Sequence, residues 1–258
     1  MISKQDVARA FSQAAGQYDA YALIQQRLAA RLLDVLPACA PEQVLDLGCG
    51  TGYCLPALQQ HYPAARISAL DIAPGMLAHA RALYADAFTW LCADAEHIPL
   101  ADNSTDLVFS NLAVQWCESF SAMLAEVKRI LRPGGQFIFT TLADGTLAEL
   151  RRAWAEVDDT IHVHPFPTEQ MLVMQARDSG LRLNDVQCYD DIAWYADVRA
   201  LSDSLKRVGA HNMQHQYAGL GGRARLKAWM QAMESFRTPQ GLPARYRVVQ
   251  FQLEKVSG

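Results

Sequence analysis

Three glycines that follow an acidic residue form a pattern suited to ligand binding. The segment VLDLGCGTG, residues 44–52, reads as an apolar strand containing Asp46 that leads into Gly48, Gly50 and Gly52. Glycines let the backbone turn sharply and place no Cβ between the loop and a ligand. Ligands of open α/β sheets bind at the carboxyl ends of such strands. The segment therefore predicts a ligand site directly after a buried strand.

The spacing of the glycines indicates the kind of ligand. The pattern is G-x-G-x-G, one residue shorter than the G-x-G-x-x-G that cradles a dinucleotide pyrophosphate. A carboxylate two residues before the first glycine would repel phosphates, but it suits a cation. S-adenosylmethionine carries an ammonium and a sulfonium and no phosphate. The pattern favours this cofactor and disfavours a nicotinamide-dependent dehydrogenase.

Two further acids lie at the ends of the next two predicted strands, Asp71 as the last residue of one and Asp94 directly after the other. Asp71 lies 19 residues after Gly52, where an acid can accept both ribose hydroxyls. Asp94 can accept the adenine amino group, with the amide of Ala95 facing a ring nitrogen. The alternative is that these acids and Asp46 only cap helices or turns at strand ends.

Apolar runs and helical stretches alternate through the middle of the chain. This alternation predicts a doubly wound, mostly parallel sheet. The predicted strands are 43–47, 66–71, 88–93, 105–111 and 135–142. The predicted helices are 53–61, 74–86, 119–131 and 147–158.

The two ends of the chain do not show this alternation of strands and helices. Residues 4–36 read as two helices with a hinge at GQYDAY, and a further strand is expected at 181–188. Helices at 197–209 and 223–236 precede a last, antiparallel strand at the sheet edge. We expect one α/β domain, 1–258, with seven strands. Its parts are N-terminal helices over the cofactor (1–40), a cofactor-binding core (41–160), a helical lid on the substrate side (161–240) and a final edge strand (241–258).

Composition restricts the class of protein. The chain is 51% hydrophobic, has no apolar run long enough for a membrane span, and begins without a signal-peptide pattern, so we expect a cytoplasmic protein. Its six cysteines lack metal-ligand spacing, so we expect no metal site. The net charge of −4 disfavours nucleic acid. Residues 199–227 nevertheless carry six basic residues and one acidic residue, a net +5.

With these motifs in view, the chain resembles the class I S-adenosylmethionine-dependent methyltransferases, which have a Rossmann-like fold. The resemblance rests on VLDLGCGTG, ALDIAPGMLAHAR, ADAEHIPLADNSTDLVFSN and EVKRILRPGGQFIFTT, within residues 40–142. It implies that the glycine loop contacts the methionine moiety, Asp71 the ribose and Asp94 the adenine. Ile72 and Met76 are expected in the same site.

Other segments resemble one branch of that family, the malonyl-[acyl-carrier protein] O-methyltransferases of biotin synthesis. They include SNLAVQWC and SLKRVGAHN, together with GLGGRARL and LPARYRVV. The resemblance implies methyl transfer to the free carboxyl of a malonyl thioester on acyl carrier protein, which would let fatty-acid synthesis elongate it. Where that family often has a basic residue before SLK, this chain has Asp203.

This reaction makes particular demands on the site. A malonyl carboxyl with a pKa of about 4 is already ionised at neutral pH, so we expect no general base. The carboxylate needs donors and a positioned methyl group. The candidates for holding it are Tyr18, Asn111, Gln115, Trp116, Lys206 and Arg223, with Tyr21 and Arg225 also considered. Tyr18 and Gln25 are expected to fold over the cofactor, and Asn111 to reach it.

The basic segment 199–227 offers a surface for the acidic acyl carrier protein. The same charges could simply keep the lid soluble. Two alternative functions stay open at this point. One is a methyltransferase that acts on a free small-molecule acid or another metabolite, and the other is a regulatory protein that binds S-adenosylmethionine without catalysis.

Overall fold

Seven strands form one sheet in the part of the chain that the computed structural model describes, namely residues 3–163, 165–207 and 220–256, with 220–223 by backbone only. The strands are β1 (Gln43–Leu47), β2 (Arg66–Asp71), β3 (Thr89–Cys92), β4 (Thr105–Asn111), β5 (Leu131–Leu142), β6 (Arg182–Tyr195) and β7 (Leu242–Glu254). Their order is β3-β2-β1-β4-β5-β7-β6. The first five are mutually parallel, and β7 is antiparallel to both of its neighbours. The predicted fold class is confirmed.

The prediction that the last strand forms an edge is wrong. Phe251 of β7 pairs with Phe139 of β5 on one side and with Val186 of β6 on the other. Since Val248, Val249 and Phe251 are fully buried, this strand has the apolar character of an interior strand. The edges are β3 and β6, and β6 continues to Tyr195, well beyond the predicted end at residue 188.

Helices cover both faces of the sheet. They are α1 (Lys4–Ala14), α2 (Tyr18–Tyr21), α3 (Leu23–Leu33), α4 (Leu55–His61), α5 (Pro74–Tyr84), α6 (Phe120–Ile130), α7 (Ala148–Ala155), α8 (Glu169–Asp178), α9 (Val198–Arg207) and α10 (Leu220–Glu234). Among the described residues, none of these helices is long and apolar enough to cross a membrane. The predicted N-terminal hinge is itself a helical turn, α2, and residues 208–219 of the predicted lid lie outside the described residues.

Each face of the sheet has its own apolar core. Leu124 and Val127 of α6 pack on one face with Phe139, whereas Leu32 of α3 and Leu58 of α4 pack on the other. Helices α7 and α10 meet through Trp154 and Trp229, whose rings stack with centroids 5.0 Å apart. The core therefore holds the carboxyl ends of the parallel strands in fixed positions.

The chain order reverses between β1 and β4, which are neighbours in the sheet. From β1 the chain moves outward through β2 to β3, and it then returns to β4 on the other side of β1. The loops after these two strands consequently diverge and leave a crevice at the carboxyl edge. The predicted glycine loop follows β1 and is at this crevice.

Candidate functional site

A cavity lies at the carboxyl ends of β1, β2 and β4. Its empty volume is about 770 Å³, a figure that includes space open to solvent. Side chains of α1 and α2 form one wall, and the loop after β4 forms another. The lining residues of the loop after β4 include Leu112, Ala113 and Trp116. The topology and this cavity identify the same place in the fold.

The glycine loop adopts backbone conformations that favour glycine. Gly48, Gly50 and Gly52 have φ angles of 77°, 55° and 78°. Gly48 and Gly50 line the cavity, whereas Gly52 packs against Tyr84 and Leu55 and lies outside the lining. A Cβ on Gly50 would meet no protein atom within 4 Å, so open space lies beside the backbone there. This loop can approach a ligand closely.

Asp71 lines the cavity and also fixes the glycine loop. Its carboxylate oxygens accept hydrogen bonds from the backbone N–H of Gly50 and of Ala73, both at 2.8 Å. Burial raises the pKa of Asp71, although these backbone donors counteract part of the increase. Each carboxylate oxygen has a second lone pair, so Asp71 can cap the turns and still accept ligand hydroxyls.

Asp46 is a buried acid behind the cavity wall. It is 2% exposed, and its Oδ2 atom has no hydrogen-bond partner within the described ranges. Burial and the nearby Asp71 carboxylate raise the pKa of Asp46 to about 8. Asp46 itself lies outside the lining of the cavity. This oxygen without a partner behind the cavity wall is compatible with a cationic ligand such as S-adenosylmethionine, whose positive charge would favour the ionised form of Asp46.

Asp94 lines the far end of the cavity beside Ala95, where it is held by a residue that sequence reasoning missed. The Lys4 ammonium on α1 donates to Asp94 Oδ2 at 2.6 Å and to Glu96 Oε1 at 2.8 Å. The backbone N–H of Glu96 donates to Asp94 Oδ1 at 3.0 Å. Nothing in the sequence around Lys4 indicates this ion pair, because Asp94 lies 90 residues further along the chain.

The last residue of β4 and the loop that follows contain three predicted site residues. Asn111 and Trp116 line the cavity, whereas Gln115 lies outside its lining. The Asn111 amide donates to the carbonyl of Gln25 at 3.0 Å and accepts from the Thr140 hydroxyl at 2.8 Å. Gln115 donates to the Leu112 carbonyl at 2.6 Å. Asn111 therefore connects α3 to the cavity. Gln25 takes part only through its backbone carbonyl and does not line the cavity.

Aromatic side chains from the N-terminal helices close the cavity. Tyr18 and Phe11 both line it, and Phe11 contacts Trp116 edge-on with ring centroids 5.5 Å apart. Burial and the Asp71 and Asp19 carboxylates raise the pKa of the Tyr18 phenol, which stays protonated at neutral pH. The predicted residues Ile72 and Met76 line the same cavity. Phe11 was not predicted as a site residue, because an aromatic residue on an amphipathic helix is usually core.

None of the lid cations whose side chains are described lies in the lining of the cavity. Lys206 is exposed and lies outside the lining, and the side chain of Arg223 lies outside the described residues. Arg225 is 3.9 Å from Asp158. The Arg207 guanidinium lies over the ring of Tyr21, 4.6 Å from its centroid. Among the described residues, Lys4 is the single cationic side chain in the lining, and no group of three or more acidic, His or Cys residues could hold a metal.

Comparisons with known proteins place the chain among methyltransferases. A methyltransferase domain family matches residues 45–139. The chain is 39% identical to the malonyl-[acyl-carrier protein] O-methyltransferase of Dechloromonas aromatica, over 98% of this chain and 95% of that protein. It is 41% identical to the biotin biosynthesis bifunctional protein BioHC of Cellvibrio japonicus, over 96% of this chain and 49% of that protein. The chain thus spans about half the length of such bifunctional relatives.

The fold is also found in solved structures. The YcgJ protein of Bacillus subtilis superimposes with a TM-score of 0.64 at 18% identity, covering 90% of this chain and 100% of that one. At this identity the likeness supports the fold alone.

Proposed function

The chain belongs to the malonyl-[acyl-carrier protein] O-methyltransferase family, and on that premise we propose that it methylates the free carboxyl of malonyl-acyl carrier protein. S-adenosylmethionine would be the methyl donor, and the methyl ester would prime pimeloyl synthesis for biotin. The observation that carries the proposal is similarity over 98% of the chain to a protein of that name, well beyond the cofactor-binding core.

Residues around the cavity are suited to hold this cofactor. Gly48 and Gly50 would lie against the methionine moiety, Asp71 would accept the ribose hydroxyls, and Asp94 with Ala95 would bind the adenine. All five line one cavity, which supports the assignment. Ile72 and Met76 supply apolar contacts there. When bound, S-adenosylmethionine would supply an electrophilic methyl group that a carboxylate oxygen can take without any proton transfer.

The protein's own contribution would be to position the carboxylate and exclude water. The Asn111 amide has two N–H groups, of which the Gln25 carbonyl takes one, so a second remains for a ligand oxygen. The protonated Tyr18 phenol is another donor in the same lining. The rings of Phe11 and Trp116 would keep water from the reacting oxygen. Donors of this kind orient the nucleophile without forming a tight ion pair that stabilises its ground state.

The basic segment 199–227 is proposed to receive the acyl carrier protein. Its five described cationic side chains are all exposed: Arg199, Lys206, Arg207, Arg225 and Lys227. Such a patch would steer an acidic partner towards the protein and would weaken as salt is added. Lys206 and Arg223 are retained as candidate partners for the malonyl carboxylate.

The experiment that tests this function compares acceptors. Formation of S-adenosylhomocysteine is measured with malonyl-carrier protein, acetyl-carrier protein and malonyl-coenzyme A at several salt concentrations. We expect turnover with malonyl-carrier protein, none with the acetyl form, and a rate that falls as salt rises. Equal turnover of free malonyl compounds would support a small-molecule methyltransferase, and cofactor binding without turnover would support a regulatory protein.

A further inference from the structure

The Lys4 ion pair joins the N-terminal helix to the rim of the cavity. Its ammonium lies between the carboxylates of Asp94 and Glu96, and the Lys4 side chain is 20% exposed. Lys4 is the first residue of α1, whereas Asp94 and Glu96 follow β3 in the core. Because this contact is charged and partly shielded from water, it is stronger than a typical surface ion pair.

Glu96 extends this contact to the other side of the cavity. Its Oε1 atom also accepts from the backbone N–H of Glu118 at 2.7 Å and of Ser119 at 3.3 Å, at the beginning of α6. Lys4 is therefore bound to a side chain that also fixes the segment immediately after Trp116.

The rest of α1 lies along the same cavity. Val7 and Phe11 line it, and the Ser12 hydroxyl accepts from the backbone N–H of Gly75 on α5 at 3.1 Å. A Cβ at Gly75 would lie 2.6 Å from the Ser12 Cβ, so the two helices are in close contact at this end. Helix α1 is thus held by packing at Ser12 and by the ion pair at Lys4, and Val7 and Phe11, between these two points, line the cavity.

We propose that Lys4 is a positioning residue for the adenine end of the cofactor. Its ammonium holds the Asp94 carboxylate in place and fastens α1 across the cavity, so that cofactor leaves when this ion pair opens. The Asp94 carboxylate retains lone pairs for the adenine amino group, because Lys4 and Glu96 use one on each oxygen. The inference rests on the proposed use of S-adenosylmethionine.

The charge of Asp94 gives this role a pH signature. Desolvation raises the pKa of Asp94, but the Glu96 N–H and the Lys4 ammonium outweigh it and leave that pKa below its usual value. Within the described ranges, the other titratable groups facing Asp94 are the Glu96 carboxylate, the Cys117 thiol and His97, whose Nδ1 atom is 3.9 Å from Asp94 Oδ2. An ionised Asp94 accepts the adenine amino group, so affinity falls as pH drops through the Asp94 pKa. Loss of Lys4 moves this fall to higher pH.

The test measures S-adenosylhomocysteine affinity and its dissociation rate in the full chain. Lys4→Met should release the ligand about tenfold faster, as expected for loss of one charge-assisted contact. Lys4→Arg should restore most of the difference, and the salt dependence of release should be present in the wild type and lost in Lys4→Met. Arg9→Met is the matched control, because Arg9 lies on the same helix and pairs with Asp6 at the surface.

Several outcomes would overturn the inference. Unchanged release in Lys4→Met, with a wild type that binds the ligand, removes the role of Lys4 while leaving the proposed function intact. An equal loss in Arg9→Met, or a pH profile that does not shift, shows general loosening of α1 instead. A wild type that binds neither S-adenosylmethionine nor S-adenosylhomocysteine overturns both proposals. Thermal melts establish folding, and Lys4→Gln replaces Lys4→Met if the latter is unfolded.

Discussion

Gly48 and Ala113 lie so close together that a Cβ added to Gly48 would be 2.1 Å from the Ala113 Cβ. This contact joins the loop after β1 to the loop after β4. Both residues line the cavity, and the residue before Ala113, Leu112, has a φ of 50°, a left-handed conformation that is strained for leucine. The glycine therefore sets the distance between the two loops that border the cavity.

Gly48→Ala should damage both stability and the site. The substitution adds a clash with Ala113 to an unfavourable φ of 77°, so we expect unfolding to become easier by roughly 3 kcal/mol. Gly134→Ala is the matched control, since Gly134 has a φ of 81° but open space around its Cβ position, and should cost about 1 kcal/mol. Urea unfolding measures both. Equal costs would show that only the backbone angle matters.

Asp71→Asn should weaken cofactor binding while leaving the protein folded. The amide keeps the shape but removes the charge and one strong acceptor, so we expect the dissociation constant of S-adenosylmethionine to rise by about tenfold or more. Isothermal titration calorimetry checks this value.

A matched control separates the cofactor role of Asp71 from its capping role. Asp106 accepts the backbone N–H groups of Glu42 and Gln43, both at 2.9 Å, and lies outside the lining of the cavity. Asp106→Asn should likewise weaken the backbone hydrogen bonds that it accepts, but it should leave the cofactor affinity unchanged. If Asp71→Asn binds as tightly as Asp106→Asn, Asp71 only caps turns.

The buried Asp46 predicts how stability changes with pH. Its pKa is about 8 in the folded protein, raised by burial and by Asp71, and about 3.9 in an unfolded chain. Between these values the folded state holds a proton that the unfolded state has lost, so this group's contribution to stability falls as pH rises from about 4 to about 8.

Asp46→Asn removes this titration, since an amide is neutral throughout. The free energy of unfolding of Asp46→Asn minus that of the wild type should increase with pH, by at most about 1.4 kcal/mol per unit. Urea titrations without cofactor at several pH values measure this difference. A difference that stays constant between pH 4 and pH 8 would show that Asp46 ionises normally.

Lys206→Glu should slow turnover of malonyl-carrier protein, with no change in cofactor affinity. Lys206 is exposed on α9 within the basic segment, so reversing its charge would weaken attraction of an acidic partner. Arg66→Glu is the control, because Arg66 is exposed at the beginning of β2, at the opposite edge of the sheet from the cavity. Steady-state kinetics at low salt compare the two, and equal slowing would indicate an effect of net charge alone.

The sheet could be predicted from sequence because buried parallel strands read as apolar runs between amphipathic helices. The interior position of β7 could not, since an alternating run such as ARYRVVQFQL indicates a strand without indicating its neighbours. Its neighbours in the sheet, β5 and β6, are both separated from β7 by long stretches of chain. Only tertiary packing determines that Phe251 pairs with both Phe139 and Val186.

The site was predictable where a local motif carried it. Gly48, Asp71 and Asp94 lie at or just after strand ends at characteristic spacings, and all three line the cavity. Lys4 and Phe11 were missed because amphipathicity shows which face of α1 is buried but not what it is buried against. The predicted role of Lys206 rested on charge and resemblance, and its exposed side chain lies outside the lining.

The most direct measurement of the central claim is the intact mass of malonyl-acyl carrier protein after incubation with this protein and S-adenosylmethionine, with acetyl-carrier protein in parallel. We expect a gain of one methyl group on the malonyl form alone, and loss of that methyl group on ester hydrolysis. No gain on the malonyl form, from a protein shown separately to bind S-adenosylmethionine, would contradict it.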